Sequence, residues 1–78
     1  MSRKQIEEAV RTSLEAYFRD LRGAEPDALY DLMLRAVEKP LLEVVMQHAQ
    51  GNQSRAAEWL GLNRNTLRKK LVEHKLVK

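Results

Sequence analysis

The sequence predicts an all-α fold of four helices, completed by a second copy of the chain and ending in a helix-turn-helix. Three observations lead there. Apolar residues recur at spacings of three and four through residues 4–21. A second segment, residues 29–50, is apolar around most of its circumference. The last 28 residues read as two short capped helices about a glycine, with positive charge gathered on the second.

Seventy-eight residues without cysteine form one domain, near the size at which a single core barely offsets chain entropy. Disulfides and thiolate metal sites are excluded, which leaves association as the route to stability. With 44% hydrophobic and 32% charged residues, three Gly and two Pro, the composition suits a helical domain rather than a disordered tail. No apolar run reaches the length of a signal peptide or membrane span, so no membrane partner and a cytoplasmic location are expected.

In helix one, Ile6, Val10, Leu14, Tyr17, Phe18 and Leu21 form the apolar stripe, with Tyr17 and Phe18 expected in the core. Glu7 with Arg11 and Glu15 with Arg19 are spaced to pair along the surface. Gly23 is the stop. Helix two is expected to start with Asp27 as its N-cap, Pro26 lying just outside, or with Pro26 in its first turn. Leu29, Leu32, Met33, Val37, Leu41, Leu42 and Val45 are its candidate dimer-core residues, because so apolar a helix needs more cover than one short chain supplies. The pattern crosses Pro40 without turn residues, so a kink rather than a stop is expected there, with the end near Gln50 and Gly51.

The division expected is a dimerisation core over residues 1–50 and a helix-turn-helix over 51–78. Asn52 caps the third helix and Ala56, Ala57 and Leu60 give it a small apolar edge that allows a close crossing. Gly61 turns the chain, Leu62 plugs the corner and Asn63 caps the fourth helix. There Leu67 and Leu71 share the docking face, while Asn65, Arg68 and Lys69 project from the other side and Arg64 stands at the entrance. Residues 51–78 carry seven Arg and Lys against two Glu, net +5; residues 1–50 carry seven against nine, net −2. That asymmetry is the footprint of a phosphate-binding surface on a scaffold and points to double-stranded DNA. Basic residues on a helix are often only its solvated face, but here caps, small-residue contact and glycine turn agree with the charge.

The run GNQSRAAEWLGLNRNTLRKKL resembles the DNA-binding end of the Fis family of bacterial nucleoid-associated proteins. The likeness extends back through Tyr17-Phe18, Leu29-Tyr30 and Val37-Glu38-Lys39-Pro40-Leu41-Leu42. It implies a four-helix Fis-like homodimer that binds and bends duplex DNA, associates with the nucleoid and regulates transcription. It also implies that Asn63 and Arg64 contact bases in the major groove, and that Asn52, Ser54, Arg55, Thr66, Arg68 and Lys69 hold phosphates. Chemistry agrees: a guanidinium pairs two acceptors on guanine, and hydroxyls, amides and helix N-termini suit phosphate oxygens. Lys70, Lys75 and Lys78 are further candidates for phosphates on bent flanking DNA. Longer members carry an N-terminal arm that touches a recombinase; this chain starts almost at helix one, so recombinase contact is not expected of it.

An alternative is the C-terminal DNA-binding domain of an enhancer-binding activator, which ends in the same motif, although Met1 before a complete first helix favours a small intact protein. A different class is a helical dimer that holds a protein partner on its basic face; steep salt dependence on random DNA separates the two. No enzyme, metal or cofactor is expected. His48 and His74 lie far apart without further ligands at helical spacing, and the sequence holds no phosphate loop. Trp59 is expected to pack against helix two, and Met33 and Met46 to fill the core.

Overall fold

The computed structural model describes residues 2–77, in which four helices follow one another without a strand: α1 Arg3–Leu21, α2 Leu29–His48, α3 Gln53–Leu60 and α4 Arg64–Glu73. Helix α1 begins on a capping box that the apolar periodicity did not announce. The Gln5 N–H donates to Ser2 Oγ at 3.2 Å and the Ser2 N–H to Gln5 Oε1 at 2.8 Å, satisfying two donors that the first turn leaves free. Arg11 pairs with Glu8, and Arg3 with Glu7, in place of the expected Glu7 to Arg11 contact. Left-handed Arg22 and Gly23 then close the helix.

Asp27 is not the cap of α2. Ala28 occupies that position in the left-handed region (φ 49°) without a side-chain cap, and the Leu32 N–H reaches its carbonyl at 3.1 Å. The helix runs through Pro40 and stops at His48, two residues earlier than expected. The earlier stop has a defined cause. The Gly51 N–H bonds to the Met46 carbonyl and the Gln50 N–H to that of Gln47, the paired bonds of a Schellman closure, with Gln50 at φ 54°. Helices α3 and α4 end in the same way, through Leu62 to Ala57 and Leu76 to Leu71, with Gly61 and Lys75 left-handed.

The buried core consists of Leu42, Ala49, Ala56, Ala57, Leu67 and Leu71, edged by Val45, Met46, Leu60, Leu76 and Val77. It joins the C-terminal half of α2 to α3 and α4, and so crosses the expected division at residue 50. Two buried alanines of α3 let α4 approach closely enough for Leu67 and Leu71 to be sealed from water. Leu42, expected at an interface between copies, is 1% exposed and spent on its own chain's core.

Helix α1 contributes no buried residue. Tyr17 and Phe18 meet edge to face, their centroids 6.1 Å apart, yet Phe18 remains exposed, contrary to its expected place in the core. Leu32, Leu34, Val37, Leu41 and Val44 of α2 are exposed as well. An open, mostly apolar groove between the two helices is lined by Ile6, Ala9, Val10, Ser13, Met33, Ala36, Val37, Pro40 and Val44. The radius of gyration is 14.9 Å; a compact chain of this length would reach about 11.5 Å. The excess follows from a core that occupies one end only. No helix among the described residues is long and apolar enough to cross a membrane.

Candidate nucleic-acid interface

Helix α4 is a two-faced element. Leu67 and Leu71, four residues apart, anchor it to α3 and α2. Arg64, Asn65, Thr66, Arg68 and Lys69 occupy the remaining circumference and are exposed. Asn65, Arg68 and Lys69 line one shallow concavity together with Val72 and Glu73. Asn65 therefore stands with the two cations, on the side expected from its spacing. Among the described residues Arg64, Arg68 and Lys69 have no ion-pair partner, so their charge is directed at solvent.

Both short helices are capped by asparagine. Asn63 Oδ1 accepts from the Asn65 N–H at 2.8 Å, and Asn52 Oδ1 accepts from the Arg55 N–H at 3.0 Å. In each case the amide oxygen is committed to the backbone, while the amide NH2 remains free to donate. Ser54 and Arg55 are exposed on the first turn of α3, with Asn52 just before it and outside the concavity on α4. The N-terminal ends of α3 and α4 add the partial positive charge of their free amides to that of the side chains.

Two sequence expectations are corrected here. Lys70 does not join the outward cations: its Nζ lies 2.9 Å from Glu38 Oε2 on α2, and it is partly buried. Lys70 follows Lys69 by one residue, a rotation of about 100° that turns it toward α2. Trp59 is 56% exposed and lies outside the buried core, not packed into it as a core residue would be. Lys78 lies outside the described residues.

The Glu38 contacts are what sequence reasoning missed. Besides Lys70, Glu38 binds His74, with Oε1 2.8 Å from Nε2. The bonds from His74 and then Lys70 hold the Glu38 carboxyl below its ordinary titration range, against a smaller opposing effect of burial. The signal available was the spacing of Lys70 and His74, four residues apart on a side of α4 next to Leu67 and Leu71. No group of three or more potential metal ligands occurs among the described residues.

Residues 33–74 match the family model described as "Bacterial regulatory protein, Fis family". A Fis-like DNA-binding protein of Ralstonia nicotianae is 57% identical over 77 residues, covering 99% of this chain and 100% of that protein. A Fis-like DNA-binding protein of Neisseria meningitidis is 57% identical over 72 residues, 92% of this chain and 91% of its own length. The DNA-binding protein Fis of Photobacterium profundum is 47% identical over 74 residues, 95% of this chain and 76% of that protein.

Proposed function

The chain belongs to the Fis family of bacterial regulatory proteins, and from that premise we propose that it is a homodimer that binds and bends duplex DNA and regulates transcription from within the nucleoid. The observation that carries this reading is the face of α4. Arg64, Arg68 and Lys69 are exposed and free of ion pairs among the described residues, on a helix whose opposite side is buried. A surface helix needs no such rigid seat; a helix that must enter a groove in one orientation does.

Asn63 and Arg64, at the N-terminal end of α4, are the base readers. Arg64 suits the two acceptors of a guanine edge. The Asn63 NH2, left over from capping, can donate to a base acceptor. Asn52, Ser54, Arg55, Thr66, Arg68 and Lys69 hold phosphates and set the register. With so few readers, much of the selectivity falls to groove width and the ease of bending. The second copy covers the face that carries Leu32, Val37, Leu41 and Val44, together with the groove against α1.

This is a binding protein working in the cytoplasm, with no reaction of its own. A titration of random duplex DNA across salt concentrations tests the binding: a steep fall of log affinity with log salt is expected, and a flat response would replace DNA with a protein partner. Bound fragments with circularly permuted sites test the bend. Equal migration of every fragment would remove bending from the reading.

A further inference from the structure

The bonds from Lys70 and His74 to Glu38 are the only side-chain hydrogen bonds or ion pairs that join different helices among the described residues. Every other side-chain contact of this kind stays within four residues. Glu38 stands one turn before Leu42, the buried anchor of α2, and Lys70 and His74 are one turn apart across the end of α4. One carboxylate thus spans a full turn of the opposing helix. A carboxylate only accepts, so His74 Nε2 carries the hydrogen and both partners donate.

Apolar packing of Leu42, Leu67 and Leu71 holds α4 against α2, but it is non-directional and leaves rotation and tilt loosely defined. Two charge-assisted bonds to fixed oxygens define both. They also withdraw Lys70 from the cations offered to solvent. We propose that Glu38 is a positioning residue for DNA recognition: it sets the angle at which α4 is presented to the major groove and keeps Lys70 out of the phosphate-contacting set. The proposal rests on the DNA-binding function proposed for α4. Site selectivity then depends on a residue of α2 that never meets DNA.

The test compares wild type, Glu38→Gln and Lys70→Met on a selected duplex and a scrambled one at two salt concentrations, with circular dichroism establishing that each variant is folded. Glu38→Gln keeps the shape of the side chain and removes its charge. Its affinity for scrambled DNA should hold or rise, with a salt slope steeper by up to about one per protomer as Lys70 is released. The ratio of selected to scrambled binding should fall about threefold to tenfold, the scale of a partly exposed charged contact in each half. Lys70→Met should lower the same ratio without making the salt slope shallower.

The proposal is overturned if Glu38→Gln weakens both duplexes by one common factor, which is the signature of a merely structural role. It is also overturned if Lys70→Met makes the slope shallower by about one unit per protomer, since Lys70 would then be a phosphate contact. Should Glu38→Gln not fold, the Lys70→Met slope and ratio decide alone. Failure of the underlying DNA-binding function looks different, because wild type itself would then bind neither duplex in a salt-dependent way.

Discussion

Asn63 Oδ1 accepts the Asn65 N–H at 2.8 Å, so the side chain proposed to read bases is also the one that caps the start of α4. The two duties use different atoms and can be separated. Asn63→Asp keeps the capping oxygen and removes the amide donor. Its thermal stability should stay near wild type while affinity for a selected site falls. Asn63→Ala removes both, and should cost about 1 kcal/mol of folding stability as well. Equal melting of the two variants would show that the cap contributes nothing.

Arg64 and Lys69 should fail in different ways. Arg64→Ala removes the proposed pairing to a base edge and is expected to cost about 1 to 3 kcal/mol per half-site at the best sites, with little change on scrambled DNA. Lys69→Ala should weaken all sequences alike and reduce the salt slope by about one for each phosphate it no longer neutralises. A paired titration of both variants checks this. If Arg64→Ala weakens both duplexes by the same factor, Arg64 is a phosphate clamp.

Val37 is 48% exposed in the single chain, which makes it a sharp probe of association. On a free surface Val37→Glu would change stability by no more than about 0.5 kcal/mol. Within a shared apolar interface it places an unpaired carboxylate in the core and should cost about 3 to 5 kcal/mol, enough to unfold the assembly. Wild-type unfolding should likewise depend on protein concentration. Sedimentation of a folded wild-type monomer at micromolar concentration would sink the dimer.

The Glu38 carboxyl titrates below its usual value of 4.5 because His74 and Lys70 donate to its charged form. A folded-state pKa lowered in this way contributes stability that is complete above the unfolded value and is lost as pH falls through the folded one. The difference in unfolding free energy between wild type and Glu38→Gln should therefore shrink as pH falls from the carboxyl's usual value of 4.5 through its lowered folded-state value. Chemical denaturation of both proteins from pH 7 to pH 3 measures this; a gap of constant size throughout would contradict it.

Helices α3 and α4 and the docking face of α4 were legible because their signals are local: the spacing of Leu67 and Leu71, two asparagine caps and a glycine turn lie within residues 51–71. Asp27 misled because a capping residue two places before Leu29 looks sound until the backbone at Ala28 turns left-handed. Pattern likewise places an apolar residue on a face without saying which neighbour claims the face. Leu42 and Val37 share the greasy character of α2, yet one is sealed by α3 and α4 and the other stands open. The bridge from Glu38 to Lys70 joins residues 32 positions apart, and no periodicity carries such information.

All six buried residues of the described chain fall between positions 42 and 71, so the core of the single chain closes over a stretch of only 30 residues. Contacts that near in sequence form early and quickly, since little loop-closure entropy opposes them. Helix α4 is thus expected to be in place within a fast, concentration-independent phase, with the exposed apolar surface on α1 and α2 left for the proposed second chain. Docking then becomes the slow step, and its rate alone should scale with protein concentration in a refolding experiment.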